Sequence, residues 1–207
     1  RDLVRSRGLG DVYKRQGDIL ADAGLRRHLG TGYDLVLANI VSDVIIPLAA
    51  HAPAFLAPGG TFVCSGIIES ARAALEAGVK VGLGTDSSCP FVTQYDMWRE
   101  VAYFAKYVGV CNAFALHTAT QVNAELLGLG GETGTIECGK AADILVTREN
   151  PLDDLCALRD PTHVMCRGDL VRKLKVKRIP EVDAELDAIM AMPAEALAEE
   201  LARDGVA

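Results

Sequence analysis

A chain of 207 residues allows one medium domain or two small ones, and with 50% hydrophobic and 24% charged residues it has the apolar material for a sizeable core. The net charge of −7 excludes a general nucleic-acid binder, which would carry a basic face, and no apolar run is long enough to span a bilayer. The six cysteines are scattered, without a Cys-x-x-Cys pair, and the four histidines have no zinc-finger spacing; with no secretory signal in view, the thiols read as reduced, cytoplasmic and mostly buried.

Residues 1–16, RDLVRSRGLGDVYKRQ, have no helix or strand period and are net basic. They resemble the translated adapter sequence found at the ends of reading frames from assembled environmental DNA, or else an ordinary disordered arm. From Gly17 the pattern is α/β. Leu35–Ala38 is a short apolar run suited to a buried parallel strand ending at Asn39. Val44–Leu56 reads as a helix interrupted by Pro47 and Pro53, residues 57–60 (Ala-Pro-Gly-Gly) as a turn, and Thr61–Ser65 as the next strand. Residues 69–77 are helical in pattern, and Val79–Gly84 is a further strand with the polar loop Thr85-Asp86-Ser87-Ser88 at its C-terminal end.

Thr93 and Asp96 have capping-box spacing and open a helix running to about Tyr107. A second helix, from Asn112 or Thr118 to Leu127, stops at Gly128. Short strands are expected at 134–136, 143–147, 164–167 and 170–174, as a small β unit. Pro180 starts a helical tail with Val182, Leu186 and Ile189 on one face, and Leu197 and Leu201 form a second stripe beyond Pro193. Residues 181–207 are strongly acidic and follow a basic stretch from Arg167 to Arg178. This reads as two solvated surfaces of opposite sign; a tail that binds a partner, in a protein without catalysis, is the alternative.

The first candidate for chemistry is Asp86. A carboxylate just past the C-terminal end of a parallel strand can ligate a divalent metal, or move a proton from an attacking water to a leaving amine. The same strand–Gly–Thr–Asp string also arises where Asp merely caps a turn. His117, near a helix start, reads as a core or capping histidine, Cys89 as a loop cysteine, and His163 as a turn residue without a role.

Four blocks in order bear on this choice: residues 82–87 (GLGTDS), 94–100 (QYDMWRE), 119–129 (Ala-Thr, Asn-Ala and Leu-Gly-Leu within it) and 134–146 (GTIECGKAADILV). Together they resemble the amidohydrolase superfamily, in its imidazolonepropionase-like and dipeptidase-like branch, over about residues 79–171. The resemblance implies that the strand at Val79–Gly84 is the last of a (β/α)8 barrel. Asp86 would be the final metal ligand and proton shuttle, the strands after Gly134 would belong to a flanking small β-sandwich, and zinc or another divalent metal would serve the hydrolysis of a small-molecule amide or cyclic amide C–N bond. The family's His-x-His pair is absent from this sequence. A whole barrel takes about 250 residues, and a catalytic zinc needs about three protein ligands. Little or no hydrolase activity is therefore expected of this chain.

A second ordered set precedes it. Gly17-Asp18-Ile19-Leu20, residues 33–40 (YDLVLANI), residues 56–60 (LAPGG) and Ser65-Gly66-Ile67-Ile68 resemble the later half of an S-adenosylmethionine-dependent methyltransferase of the bacterial ribosomal-protein type, PrmA. By that resemblance Asn39 faces the methyl donor or the acceptor amine, and its amide can both donate and accept; the bland alternative is an Asn ending a strand in a turn. The glycine-rich turn and acidic residue that hold such a cofactor do not precede Gly17.

The expected organisation is a leader at 1–16, a partial Rossmann-like methyltransferase sheet at 17–77, an amidohydrolase-like barrel terminus with β-sandwich strands at 78–178, and an acidic helical tail at 179–207. A chimeric reading frame joined near residues 73–78, and an aggregation-prone product with exposed apolar surface, follow from two half-cores in one chain.

Overall fold

A computed structural model of the chain describes residues 15–40, 42–66, 71–87, 91–193 and 195–196. Most of the leader, the Ile67-Ile68 pair, Cys89 and the Leu197/Leu201 stripe lie outside the described residues. The chain forms two compact units, Arg1–Ser70 and Ala71–Ala207.

In the first unit Asp22 caps helix α1 (Ala23–Leu29) by accepting from the Leu25 N–H at 2.9 Å. Strand β1 (Tyr33–Asn39) pairs in parallel with β2 (Leu56–Ser65), and between them lie α2 (Ser42–Ala49) and a 3-10 turn (Ala52–Ala54). The helix expected to run to Leu56 thus ends at Ala49; Pro53 opens the 3-10 turn, where its missing N–H costs nothing. The Ala-Pro-Gly-Gly turn is a correction of another kind. Its residues are absorbed into β2 as a bulge, because Tyr33 pairs with Leu56 but Leu35 pairs with Thr61. Gly60 is required there: a Cβ would stand 2.7 Å from the Tyr33 carbonyl oxygen. Ile45, Ala52 and Phe55 are buried, yet Leu35 and Leu37, expected inside, are 52% and 69% exposed. Parallel strands are buried when neighbours and helices cover both faces; a two-stranded sheet leaves one of these faces bare.

In the second unit α3 (Ala71–Glu76) is followed by residues 79–86, which pair with no strand among the described residues, so the barrel strand expected at Val79–Gly84 does not form as a ladder. Helix α4 (Met97–Val108) starts one turn later than the capping-box spacing suggests. Asp96 is its N-cap residue, and Thr93 donates its hydroxyl to the Asp96 carboxylate at 2.6 Å instead of capping. At its other end Arg72 donates to the Val108 and Gly109 carbonyls at 3.2 and 3.1 Å, satisfying groups a helix end leaves open. Next, α5 (Asn112–His117), a π segment (Thr118–Val122) and α6 (Asn123–Leu126) form one continuous helical run, closed by Gly128 at φ +73°. Small buried residues on it, Ala115, Thr118 and Ala124, allow close packing, and Phe104 of α4 stacks on Phe114.

The small β unit is an antiparallel meander of β3 (Ile144–Val146), β4 (His163–Cys166) and β5 (Asp169–Leu170), with a 3-10 turn at Leu155–Leu158 before β4. No strand forms at 134–136, where Gly134 takes φ +93°, and β5 is shorter than expected. Helix α7 (Pro180–Ala191) ends the described fold, with Leu186 buried and Val182 and Ile189 half-buried as the periodicity implies.

What the periodicity misses is the polar centre of this unit. Arg99 of α4 is 2% exposed. Its Nη2 stands 2.7 Å from Asp187 Oδ1 of α7, its Nε 3.4 Å from Asp96, and its guanidinium lies 4.6 Å from the centre of the Trp98 ring. Arg159 reaches the same Asp187 carboxylate through two contacts of 3.1 Å, and buried Asp183 stands 3.7 Å from Arg178. The acidic tail is therefore not simply a solvated surface: its first turns carry the counter-charges of buried Arg99 and of half-buried Arg159 and Arg178, of which only Arg178 lies in the basic stretch that precedes it. Cysteines also depart from expectation. Cys111, Cys138, Cys156 and Cys166 are exposed and Cys64 is half-buried, because each sits in a loop, a turn or a thin sheet with little protein over it.

Truncating a buried cation strands its carboxylates. Arg99→Ala is expected to lower the stability of the second unit by roughly 3–5 kcal/mol, read from the urea midpoint. Burial alone would raise the Asp187 carboxyl, but hydrogen bonds from Arg99 and Arg159 outweigh it and hold the group below its ordinary 3.8. A depressed carboxyl contributes stability that is present above that ordinary value and lost as pH falls through the lower, folded one. Stability should hold level from neutral pH to about 5 and decline below about 4; in Asp187→Asn that acid-side decline should shrink.

Candidate functional site

Asp86 ends the path that starts at Val79, which belongs to no strand ladder among the described residues. Val81 is buried, Leu83 half-buried and Asp86 exposed, with φ +49° in the left-handed region that Asp tolerates better than most residues. The path is held from the helical run. Asn123, first residue of α6, accepts from the Leu83 N–H at 2.9 Å and donates to the Leu83 carbonyl at 3.0 Å. Lys80 pairs with Glu125 at 3.2 Å, and hydrogen bonds from Gln121 and Lys80 hold the Glu125 carboxyl below its ordinary range. Asn123 is the residue that sequence reasoning left without a role. The available signal was an Asn, a poor helix former, in the interior of a long helical pattern.

His117 is exposed in the last turn of α5, so it is not a core histidine; its place follows from the next turns, where Thr118 and Ala124 take the inward positions. His163 opens β4 and contacts the Thr162 hydroxyl at 3.2 Å. Cys89 lies outside the described residues. Among the described residues no three His, Cys, Asp or Glu side chains converge as metal ligands must. The donor set here does not fit a catalytic zinc.

Asn39 belongs to the first unit and Asp86 to the second. Asn39 closes β1 opposite Ser65 of β2, and the Ser65 hydroxyl donates to Asn39 Oδ1 at 2.6 Å. That bond uses the amide oxygen of Asn39 as an acceptor. Asn39 holds a strand-end position of the kind that doubly wound folds use, without a cofactor cradle around it among the described residues. No helix among the described residues is long and apolar enough to cross a membrane.

The chain matches two family models. Residues 61–171 match the amidohydrolase family and residues 15–89 match ribosomal protein L11 methyltransferase (PrmA), so the matches overlap at 61–89. An imidazolonepropionase of Symbiobacterium thermophilum is 31% identical over 70% of this chain and 36% of its own length. A ribosomal protein L11 methyltransferase of Lachnoclostridium phytofermentans is 44% identical over 29% of this chain and 18% of its own. Among solved structures, a Bifidobacterium longum protein provisionally described as a prolidase superposes with a TM-score of 0.64 at 35% identity, over 81% of this chain and 49% of its own. The chain thus spans a fifth to a half of the relatives it matches. The amidohydrolase match takes in more than half of the residues, from β2 through the meander. With the α/β architecture shared with the solved relative, it places the chain in the amidohydrolase family, with a stretch similar to a ribosomal-protein methyltransferase ahead of it.

Proposed function

We propose that the second unit is the C-terminal part of a hydrolase of amide or cyclic amide C–N bonds, with Asp86 as its proton-transferring carboxylate. The observation that carries this reading is the placement of Asp86 at the end of a path clamped to the helical run, inside the segment matched at 61–171. In such a site the carboxylate accepts a proton from the attacking water and delivers it to the departing amine nitrogen, so one group serves both halves of the cleavage. Its exposure and left-handed backbone suit a loop carboxylate that reaches into a pocket completed by other segments. The described residues supply no set of metal ligands, so no step is assigned to a metal.

The imidazolonepropionase likeness directs the substrate class to small cyclic or linear amides. Joining residues 79–171 to the preceding part of the Symbiobacterium thermophilum imidazolonepropionase tests the assignment. The hybrid should hydrolyse its substrate, and Asp86→Asn should slow it by about 100-fold or more, as loss of a general acid–base does. A hybrid that turns over equally well with Asp86→Asn removes Asp86 from the chemistry. The unaltered chain alone should show no turnover above its own Asp86→Asn variant.

The hydrogen-bonded amide of Asn39 and the 15–89 match favour a second reading for the first unit, as a piece of a methyltransferase acting on a ribosomal protein. Two enzyme pieces sharing one overlap segment, 61–89, support the chimeric frame. Titration calorimetry with S-adenosylmethionine should give no heat of binding, and a measured affinity would show that the chain builds a cofactor cradle.

A further inference from the structure

We infer that Asn123 is the positioning residue for Asp86, its side-chain amide standing where a paired strand would otherwise hold the backbone. This deepens the reading of Asp86 as the proton-transferring carboxylate and rests on it. A strand is held by a neighbour that gives one acceptor to its N–H and one donor to its C=O. The Asn123 amide offers the same two groups on one planar unit, and both are used on Leu83, at 2.9 and 3.0 Å. Only Asn or Gln carries such a pair among the side chains, and Asp lacks the donor.

Independent features converge on this contact. Gly82 leaves the room it needs, since a Cβ there would stand 2.6 Å from Asn123 Oδ1 and 2.8 Å from Leu126 Cδ1. The π segment Thr118–Val122 ends immediately before Asn123, and a widened turn re-aims the residues that follow it. The Thr118 and Thr120 hydroxyls donate to the Phe114 and Leu116 carbonyls, at 2.9 and 2.7 Å, inside that irregular stretch. The Lys80–Glu125 pair fastens the same path one turn along. Leu83 is pinned and Val81 buried on the short path that leads to Asp86, whose backbone takes φ +49°.

The test is amide hydrogen exchange by NMR on the full chain, beside its urea midpoint. In the unaltered chain the Leu83 amide should be protected although it lies in no ladder. In Asn123→Ala it should exchange about fivefold to tenfold faster, as loss of one hydrogen bond predicts, and the Asp86 amide resonance should move while amides within α4 keep their protection. Asn123→Asp retains the acceptor and loses the donor, so Leu83 should stay protected while Asp86 still moves; this variant carries the test if Asn123→Ala does not fold. A Leu83 amide that is unprotected from the start or unmoved by Asn123→Ala, or an Asp86 resonance unmoved by Asn123→Asp, overturns the clamp. Asp86→Asn leaves the clamp untouched, so a hybrid still active with it overturns the role of Asp86, and with it the functional meaning of the clamp, even where Leu83 stays protected.

Discussion

Arg99 is a full charge with almost no contact with water, and the second unit is arranged around that fact. An isolated guanidinium in such a place would cost many kcal/mol. Asp96 from the start of α4, Asp187 from α7 and the faces of Trp98 and its neighbours make the position tolerable. The requirement acts over distance in the chain: α7 must dock for α4 to bury its arginine, and Arg159 must arrive from the 3-10 turn to share Asp187. Lys106, donating to the Met190 and Met192 carbonyls, secures the far end of the same docking. Arg99 Nε and Nη1 find no hydrogen-bond acceptor among the described residues, so this network specifies an arrangement more than it stabilises one.

That docked scaffold supports the site indirectly. The α4–α5 packing through Phe104 and Phe114 fixes the long helical run, and its π segment aims Asn123 at Leu83. Thus the path carrying Asp86 is held although residues 79–86 lie in no ladder among the described residues. Among the described residues the first unit has no comparable centre. Its parallel pair leaves Leu35, Leu37 and Val63 in solvent, and it depends on a bulge at Gly60 to keep the register that brings Asn39 opposite Ser65.

The likeness to two families and the geometry bear on the same segment from opposite sides. Residues 61–89 satisfy both family models, and they include the last strand of one unit, helix α3 and the path to Asp86. A small amphipathic helix followed by Gly78 fits many α/β contexts, since its surface positions ask only for helix formers and a stop. Such a segment lets two different chains be joined without a local contradiction; the cost falls on the cores, which is where the exposed leucines are found.

Local periodicity was enough to read β1, the second half of β2, α4, α7 and the meander, because each depends on a short-range pattern of apolar residues. The strings around Asp86 and Asn39 stood out for a similar reason; β1 ends at Asn39 as the pattern implies, whereas residues 79–86 form no ladder among the described residues. Partnership between distant residues was not legible. Nothing local in Arg99 distinguishes it from a solvated helix residue, and nothing in Asp183 or Asp187 separates them from the exposed acids around them. Thr93 and Asp96 have the spacing of a cap, yet Asp96 turns inward because Trp98 and Arg99 need it. Asn123 looks like a misplaced helix residue until Leu83, far away in sequence, presents an unpaired N–H and C=O. The sequence by itself determined where β1, α4, α7 and the meander lie, since their apolar spacing is local; it did not determine whether 79–84 or 134–136 would find a strand partner. Only the tertiary structure decided which polar groups satisfy one another, because a buried donor must find whatever acceptor the fold brings within reach.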